Sequence, residues 1–134
     1  MAIARVRGNS GTVRESVMSI AKSFEELEIW QRARLQVPAV YRVLAECRDF
    51  GFREKIQRAS ISVMNNIAEG FERRSRKDFA HFLDIAKGSN GELRSMCYAA
   101  EDLSYMGPEK ALEIRTSAED LSRGIATFPR HLRS

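Results

Sequence analysis

Residues 61–78 read ISVMNNIAEGFERRSRKD: an apolar segment with a polar stripe, a glycine, and then a basic corner that ends on a helix-start signal. Plotted from Ile56 at about 100° per residue, Ala59, Val63, Ile67 and Gly70 fall near one line. Ile61, Met64, Ala68 and Phe71 widen the apolar arc to about 200°. One partner face cannot cover that arc, so this helix is either the most buried of a bundle or turns a second apolar side toward another subunit. Lys55, Ser62, Asn66, Glu69 and Arg73 hold the narrow polar side. Ser75 and Asp78 start the next helix, Asp78 being well placed against the positive end of the helix dipole. The connection is therefore very short, and a short loop makes two long helices antiparallel neighbours.

Working outward, Ser23 and Glu26 form a capping box, with each side chain placed to satisfy the other's backbone N–H. From Leu27 the apolar positions Trp30, Val37, Tyr41 and Leu44 recur at helical spacing, which predicts a first helix from Ser23 to near Cys47. Pro38 lies inside it, and a kink is expected between Arg34 and Pro38 because proline removes one backbone bond and crowds the preceding turn. Asp49, Phe50 and Gly51 make a turn, and the second helix spans about Phe52 to Arg73. On the third, Phe79, Phe82, Leu83, Ala86, Leu93, Cys97 and Ala100 share one side as far as about Tyr105. Gly88 and Gly91 sit in its middle, each costing about 1 kcal/mol relative to alanine; close approach of a neighbouring helix is the expected reason, with a local break at GSNG as the alternative. Gly107 and Pro108 pair as helix stop and helix start. Ala111, Ile114, Ala118, Leu121, Ile125, Phe128 and Leu132 then hold a three-four spacing, with Pro129 ending or bending the last turn. The expectation is all-α: an antiparallel up-down-up-down four-helix bundle over residues 23–134, preceded by a basic N-terminal tail, 1–22, that is flexible or forms a short helix from Val13 to Ala21.

A chain of 134 residues with 43% hydrophobic and 30% charged residues suits one domain with a real core. No window approaches the roughly 18 consecutive apolar residues of a membrane span. Cys47 and Cys97 lie far apart in helical text, which suits buried thiols in a reducing, cytoplasmic setting. The net charge of +4 is modest but unevenly spread. Residues 1–22 carry +3; residues 53–77 hold seven basic and three acidic side chains, and residues 101–120 hold two basic and six acidic.

The chemistry on offer is sparse. A carboxylate-bridged di-iron bundle needs Glu-x-x-His motifs, and this chain has none; His81 and His131 lack partners at zinc-ligand spacing. There is no Gly-x-Ser-x-Gly, no P-loop, and neither cysteine lies in a recognisable nucleophile context. No cofactor, metal, catalytic residue or small-molecule substrate is expected, and the protein is expected not to be an enzyme. Asn66 and Glu69 on the second helix, with Ser89 and Glu92 on the third, are expected to face each other as a structural polar network. Arg73, Arg74, Arg76 and Lys77 at the junction of two helices, with Arg53, Lys55 and Arg58 further back, present two clusters about 30 Å apart at 1.5 Å per residue. A polyanion could reach both, whereas the plain alternative is a solvated face with intrahelical pairs such as Glu69 with Arg73.

Three segments, FEELEIWQRA (24–33), IAEGFERRSRKDF (67–79) and FLDIAKGSNGEL (82–93), resemble the bacterial four-helix-bundle proteins encoded within 23S rRNA intervening sequences. Asn66 to Gly70 with Arg73, Arg74 and Ser75 carry the resemblance most specifically; it covers about Phe24 to Leu132 and omits the first 22 residues. Met64, Asn65, Pro38 and Gly91 depart from the family's usual residues. The resemblance implies a homopentamer, related in fold to the accessory variability proteins that partner reverse transcriptase in diversity-generating retroelements and that engage nucleic acid through basic surfaces. It implies no reaction. The reading that follows is a non-enzymatic oligomeric bundle whose Arg53, Lys55, Arg58, Arg73, Arg74, Arg76 and Lys77 contact phosphates of RNA or DNA without reading bases. The rival is an interaction or scaffold module whose charged faces serve self-assembly or a protein partner such as a reverse transcriptase.

Overall fold

The computed structural model of the chain describes residues 21–128. A single 3-10 turn, Phe24–Glu26, precedes four helices: α1 Glu28–Val43, α2 Phe50–Glu72, α3 Arg76–Asp102 and α4 Pro108–Ala126. The protein is an all-α four-helix bundle. The expectations placed on residues 1–20, and on Pro129, His131 and Leu132, lie outside the described residues. Ala21, assigned to the tail by its sequence, is buried in the core beside Leu27 and Trp30, so the bundle domain reaches back at least that far.

The helices end where local chemistry ends them. The Glu26 carboxylate accepts from the Lys22 and Ser23 amides at 2.8 and 3.1 Å, but it closes only the 3-10 turn; Leu27 is extended, and α1 begins after it. α1 runs unbroken through Pro38, which is exposed, and stops at Val43 rather than near Cys47. The Asp49 side chain caps α2 by accepting from the Phe52 amide at 3.2 Å. α3 closes at Asp102 instead of Tyr105. Ser104 adopts φ 60°, while the Ser104 amide donates to the Glu101 carbonyl at 3.0 Å and the Tyr105 amide to the Ala100 carbonyl at 2.8 Å. Those two bonds around a left-handed residue make a Schellman motif.

The register between helices is read from their contacts. Ser62 on α2 meets Ser89 on α3 with 2.8 Å between hydroxyls, and Gly70 meets Phe82, so residue numbers fall along one helix as they rise along the other. Glu101 with Arg115 and Asn90 with Ser122 set the same sense for α3 against α4. The core has two lobes. One gathers Leu27, Trp30, Ala33, Val63, Ile67, Phe79, Leu83, Leu121, Ile125 and Phe128; the other gathers Val40, Leu44, Ile56, Ala59, Leu93, Cys97, Ile114 and Ala118. Each buried Leu or Ile contributes about 1.5–3 kcal/mol of transfer free energy. Burial pushes the Cys97 thiol up to about 11, which makes it a small core hydrophobe. Met64, Ala68 and Phe71, on the flank of the wide arc of α2, are half-buried against the first lobe.

Between the lobes lies a polar layer. Asn90, fully buried, donates to the Ala118 carbonyl at 2.6 Å and to Ser122 Oγ at 2.8 Å, while its Oδ1 accepts from Gln36 Nε2 at 3.2 Å. Both residues occupy rungs of the apolar ladder: Ala33, Gln36, Val40 on α1 and Ala86, Asn90, Leu93 on α3. A polar residue at such a core position costs stability and specifies register.

The glycines correct one expectation. α3 is continuous, but a Cβ at Gly88 or Gly91 would meet nothing within 4 Å, so no helix among the described residues approaches closely there. The close approach is at Gly70, where a Cβ would lie 2.6 Å from Phe82 Cβ and 3.1 Å from Phe79 Cδ1. Gly88 and Gly91 lie away from the helix pair, whereas Gly70 faces α3. Among the described residues, no helix is long and apolar enough to cross a membrane.

Candidate nucleic-acid interface

Three residues separate α2 from α3, and their backbone builds the basic corner. Arg73 ends α2, its amide donating to the Glu69 carbonyl at 3.2 Å. Arg74 then turns left-handed, φ 62°, with its amide on the Phe71 carbonyl at 3.3 Å. Ser75 is extended and caps α3, its Oγ accepting from the Asp78 amide at 3.2 Å. Gly70 allows α2 to lie against Phe79 and Phe82, and Phe79 stacks edge-on with Phe71 at 6.0 Å and Phe128 at 5.3 Å. The aromatic base holds the turn in place, while its cations stand outside the core.

The seven basic residues singled out by sequence divide by what they already do. Arg73 pairs with Glu69 at 3.1 Å and lies over the Phe82 ring at 5.1 Å. Arg74, Arg76 and Lys77 are exposed and have no ion-pair partner among the described residues. Arg76 and Lys77 open the first turn of α3, where backbone amides and the helix dipole favour an anion. Over residues 69–78 four cations stand against Glu69, Glu72 and Asp78, a net +1; the positive character belongs to the turn itself and not to a broad field.

The second cluster is different in kind. Arg53 sends Nη1 to the Ala45 and Cys47 carbonyls, both at 3.3 Å, and lies over the Phe50 ring at 5.0 Å. It holds the α1–α2 connection together. Arg58 pairs with Glu54 at 2.9 Å, and Lys55 is exposed. Of the three residues singled out at this end, Lys55 and a surface-paired Arg58 are left for a partner.

Of the polar set Asn66, Glu69, Ser89 and Glu92, only the first and third meet a common partner. Asn66 Nδ2 donates to the Ser62 carbonyl at 2.8 Å and to Ser62 Oγ at 2.9 Å, and Ser62 reaches Ser89. Glu69 turns to Arg73, and Glu92 is exposed. With Gly70 opposite Phe82, the level of Glu69 is displaced from Glu92 by about ten residues, some 15 Å along the helix. The two carboxylates do not converge. No group of three or more His, Cys, Asp or Glu among the described residues is arranged to hold a metal ion.

Comparison with known proteins places the chain. The family described as 23S rRNA-intervening sequence protein matches residues 25–127. The chain belongs to that family. No curated protein sequence matches it. Among solved structures, a protein of unknown function from the S23 ribosomal protein family of Bacteroides thetaiotaomicron VPI-5482 aligns with a TM-score of 0.69 at 19% identity, over 74% of this chain and 95% of that one. At that identity the likeness is one of fold. The family match spans all four helices and the basic corner, and it leaves residues 1–24 and 128–134 outside.

Proposed function

We propose that this protein is a non-enzymatic, self-assembling helical bundle of the cytoplasm that binds RNA or DNA by holding phosphates at the α2–α3 corner, with Arg74, Arg76 and Lys77 as the principal contacts and Arg73 as a fourth. The observation that carries the reading is Arg74. A left-handed backbone at a helix C-terminus suits glycine and costs an L-residue about 1–2 kcal/mol, yet this position holds an exposed arginine with no ion-pair partner among the described residues. Strain kept at one residue points to a use for its side chain. The family's description, which ties its members to an insertion in 23S rRNA, supports a nucleic-acid partner. Assembly is supported by the exposed Phe50, Tyr98 and Leu103, and copies side by side would multiply weak phosphate contacts.

The test is Arg74→Gly. It relieves the backbone and removes the cation, so thermal stability rises while affinity for a labelled RNA hairpin falls. The salt slope of log K becomes shallower by about 0.7–0.9, the amount expected when one fewer phosphate is neutralised. Higher stability with unchanged affinity at low salt would reject the corner as the contact. A second reading, a protein interaction module, draws on the same exposed apolar residues and on the acidic stretch of residues 101–120. It predicts no nucleic-acid binding at any salt, and solution mass measurement reads the assembly in either case.

A further inference from the structure

On the side of the bundle away from α2, α1 and α4 part to leave a groove of about 570 Å³. Leu35, Ala39 and Val43 from α1, Met106 before α4, and Ile114 on α4 give it an apolar stretch, while Tyr105, Glu113 and Ser117 add polar groups to its lining. Leu35 is 65% exposed. Arg42 and Lys110 stand at the mouth, Lys110 within 3.2 Å of Glu113 and Arg42 with no ion-pair partner among the described residues.

Gln36, only 3% exposed, also lines this groove. Both hydrogens of the Asn90 amide are taken by Ala118 and Ser122, so Asn90 offers Gln36 only an acceptor, and the NH₂ end of Gln36 must face it. The orientation of the Gln36 amide is thus fixed. Its Oε1 is turned from Asn90 and, among the described residues, is buried with no hydrogen-bond partner. Native proteins satisfy nearly all such atoms.

We infer that the α1–α4 groove is a binding site for an amphipathic organic anion: an apolar, ring-sized body between Leu35, Ala39, Val43 and Ile114, an N–H or O–H donor directed to Gln36 Oε1, and an anionic group at Arg42 and Lys110. Each part answers a separate feature of the site. The volume lies in the range of small-molecule pockets, about 300–1,000 Å³. The acceptor's orientation is fixed before the ligand arrives, and because the atom is buried in the free chain a side chain of the groove wall must shift to admit the donor. The cations at the mouth give the ligand its polarity, anion outward and donor inward. This inference is independent of the nucleic-acid reading, since none of its residues belongs to the α2–α3 corner.

The experiment titrates the full-length protein with an anilinonaphthalene sulfonate whose amine and sulfonate lie on opposite rings, followed by fluorescence. A parallel titration uses the phenoxy isostere, in which an ether oxygen replaces the N–H. Saturable binding at one site per chain is expected, weaker by about tenfold for the isostere, which lacks the donor. Arg42→Glu should weaken the sulfonate probe by about tenfold without altering the circular dichroism spectrum. Ala39→Phe, which fills the groove, should abolish binding. Non-saturable binding, equal affinity for the two probes, or full binding to a folded Ala39→Phe variant would each overturn the inference. So would a stable assembly in which a second copy covers Leu35 and the probe does not bind.

Discussion

At the scale of single residues, three glycines of similar sequence context have opposite consequences. Gly70 faces Phe82 Cβ and the Phe79 ring, and neither is the free end of a flexible side chain. Gly70→Ala must push α2 from α3, so the variant should be less stable by about 1–2 kcal/mol after the gain in helix propensity is counted. Gly88→Ala and Gly91→Ala meet open space and should each be more stable by about 1 kcal/mol. Urea unfolding of the three variants checks the contrast; stabilisation at Gly70 or destabilisation at Gly88 would contradict the packing described. Sequence alone could not make this assignment, because a glycine in a helix advertises missing volume without saying whether anything fills it. Gln36 and Asn90 were more legible than their types suggested. Along α3 the apolar ladder skips from Ala86 to Leu93, and the rung between them is Asn90; along α1, Gln36 fills the place between Ala33 and Val40. A polar residue on the rung of a strict three-four ladder is the signal of a buried polar layer, and hydrophobicity counts pass over it. Asn66, Glu69, Ser89 and Glu92 share the polar sides of α2 and α3 in sequence, yet Glu69 and Glu92 lie on the surface.

At the scale of elements, four helices, their order and their short connections were legible from periodicity, because a three-four ladder and its caps are local properties. Helix ends were less so. α1 closes earlier than its apolar pattern and α3 stops at a Schellman turn held by Ser104, both decided by backbone bonds that sequence does not write down. The turn before α2 and the turn after α3 are joined by one side-chain bond, from the Tyr105 hydroxyl to Asp49 Oδ2 at 2.7 Å, while Asp49 also caps α2. The Tyr105 hydroxyl, followed by the Phe52 amide, holds the Asp49 carboxyl below the usual aspartate value, and the same bond raises Tyr105. The signs follow by linkage. A depressed carboxylate contributes stability above its unfolded value, about 3.9, which is lost as the pH falls through the folded one. A raised phenol contributes stability that is lost as the pH climbs past about 10. Tyr105→Phe retains the ring contact with Phe52 at 5.2 Å and deletes the bond, so it should destabilise the protein at neutral pH. The difference from the parent chain should shrink at an acid pH low enough to protonate Asp49 in both. Denaturant unfolding at the two pH values reads it, and an equal difference at both would remove Asp49 from the account.

At the scale of the whole molecule, the basic residues of 53–77 form two clusters on one helix, as helical rise alone requires, and the folded arrangement gives the two ends different duties. Arg53 is committed to the Ala45 and Cys47 carbonyls and Arg58 to Glu54, whereas Arg74, Arg76 and Lys77, at the opposite end of α2, are exposed and have no ion-pair partner among the described residues. A long polyanion spanning both would need to cover about 30 Å; one docked at the corner would not. The two geometries separate under charge reversal. If the corner carries the contact, Arg73→Glu with Arg74→Glu should reduce RNA affinity by at least about tenfold near 50 mM salt and flatten the salt slope by about 1.4–1.8. Lys55→Glu with Arg58→Glu should leave the slope within about one unit of the parent. Arg53→Gln belongs to neither comparison, since it removes two hydrogen bonds from the α1–α2 connection and should lower stability instead of affinity. Because surface ion pairs such as Arg73 with Glu69 are worth about 0–1 kcal/mol, the corner reversal should leave the bundle folded, and circular dichroism at matched concentration verifies that before any affinity is compared. Equal reductions from both double reversals would mean that the ligand spans the length of α2, and the corner would then be one half of a longer track.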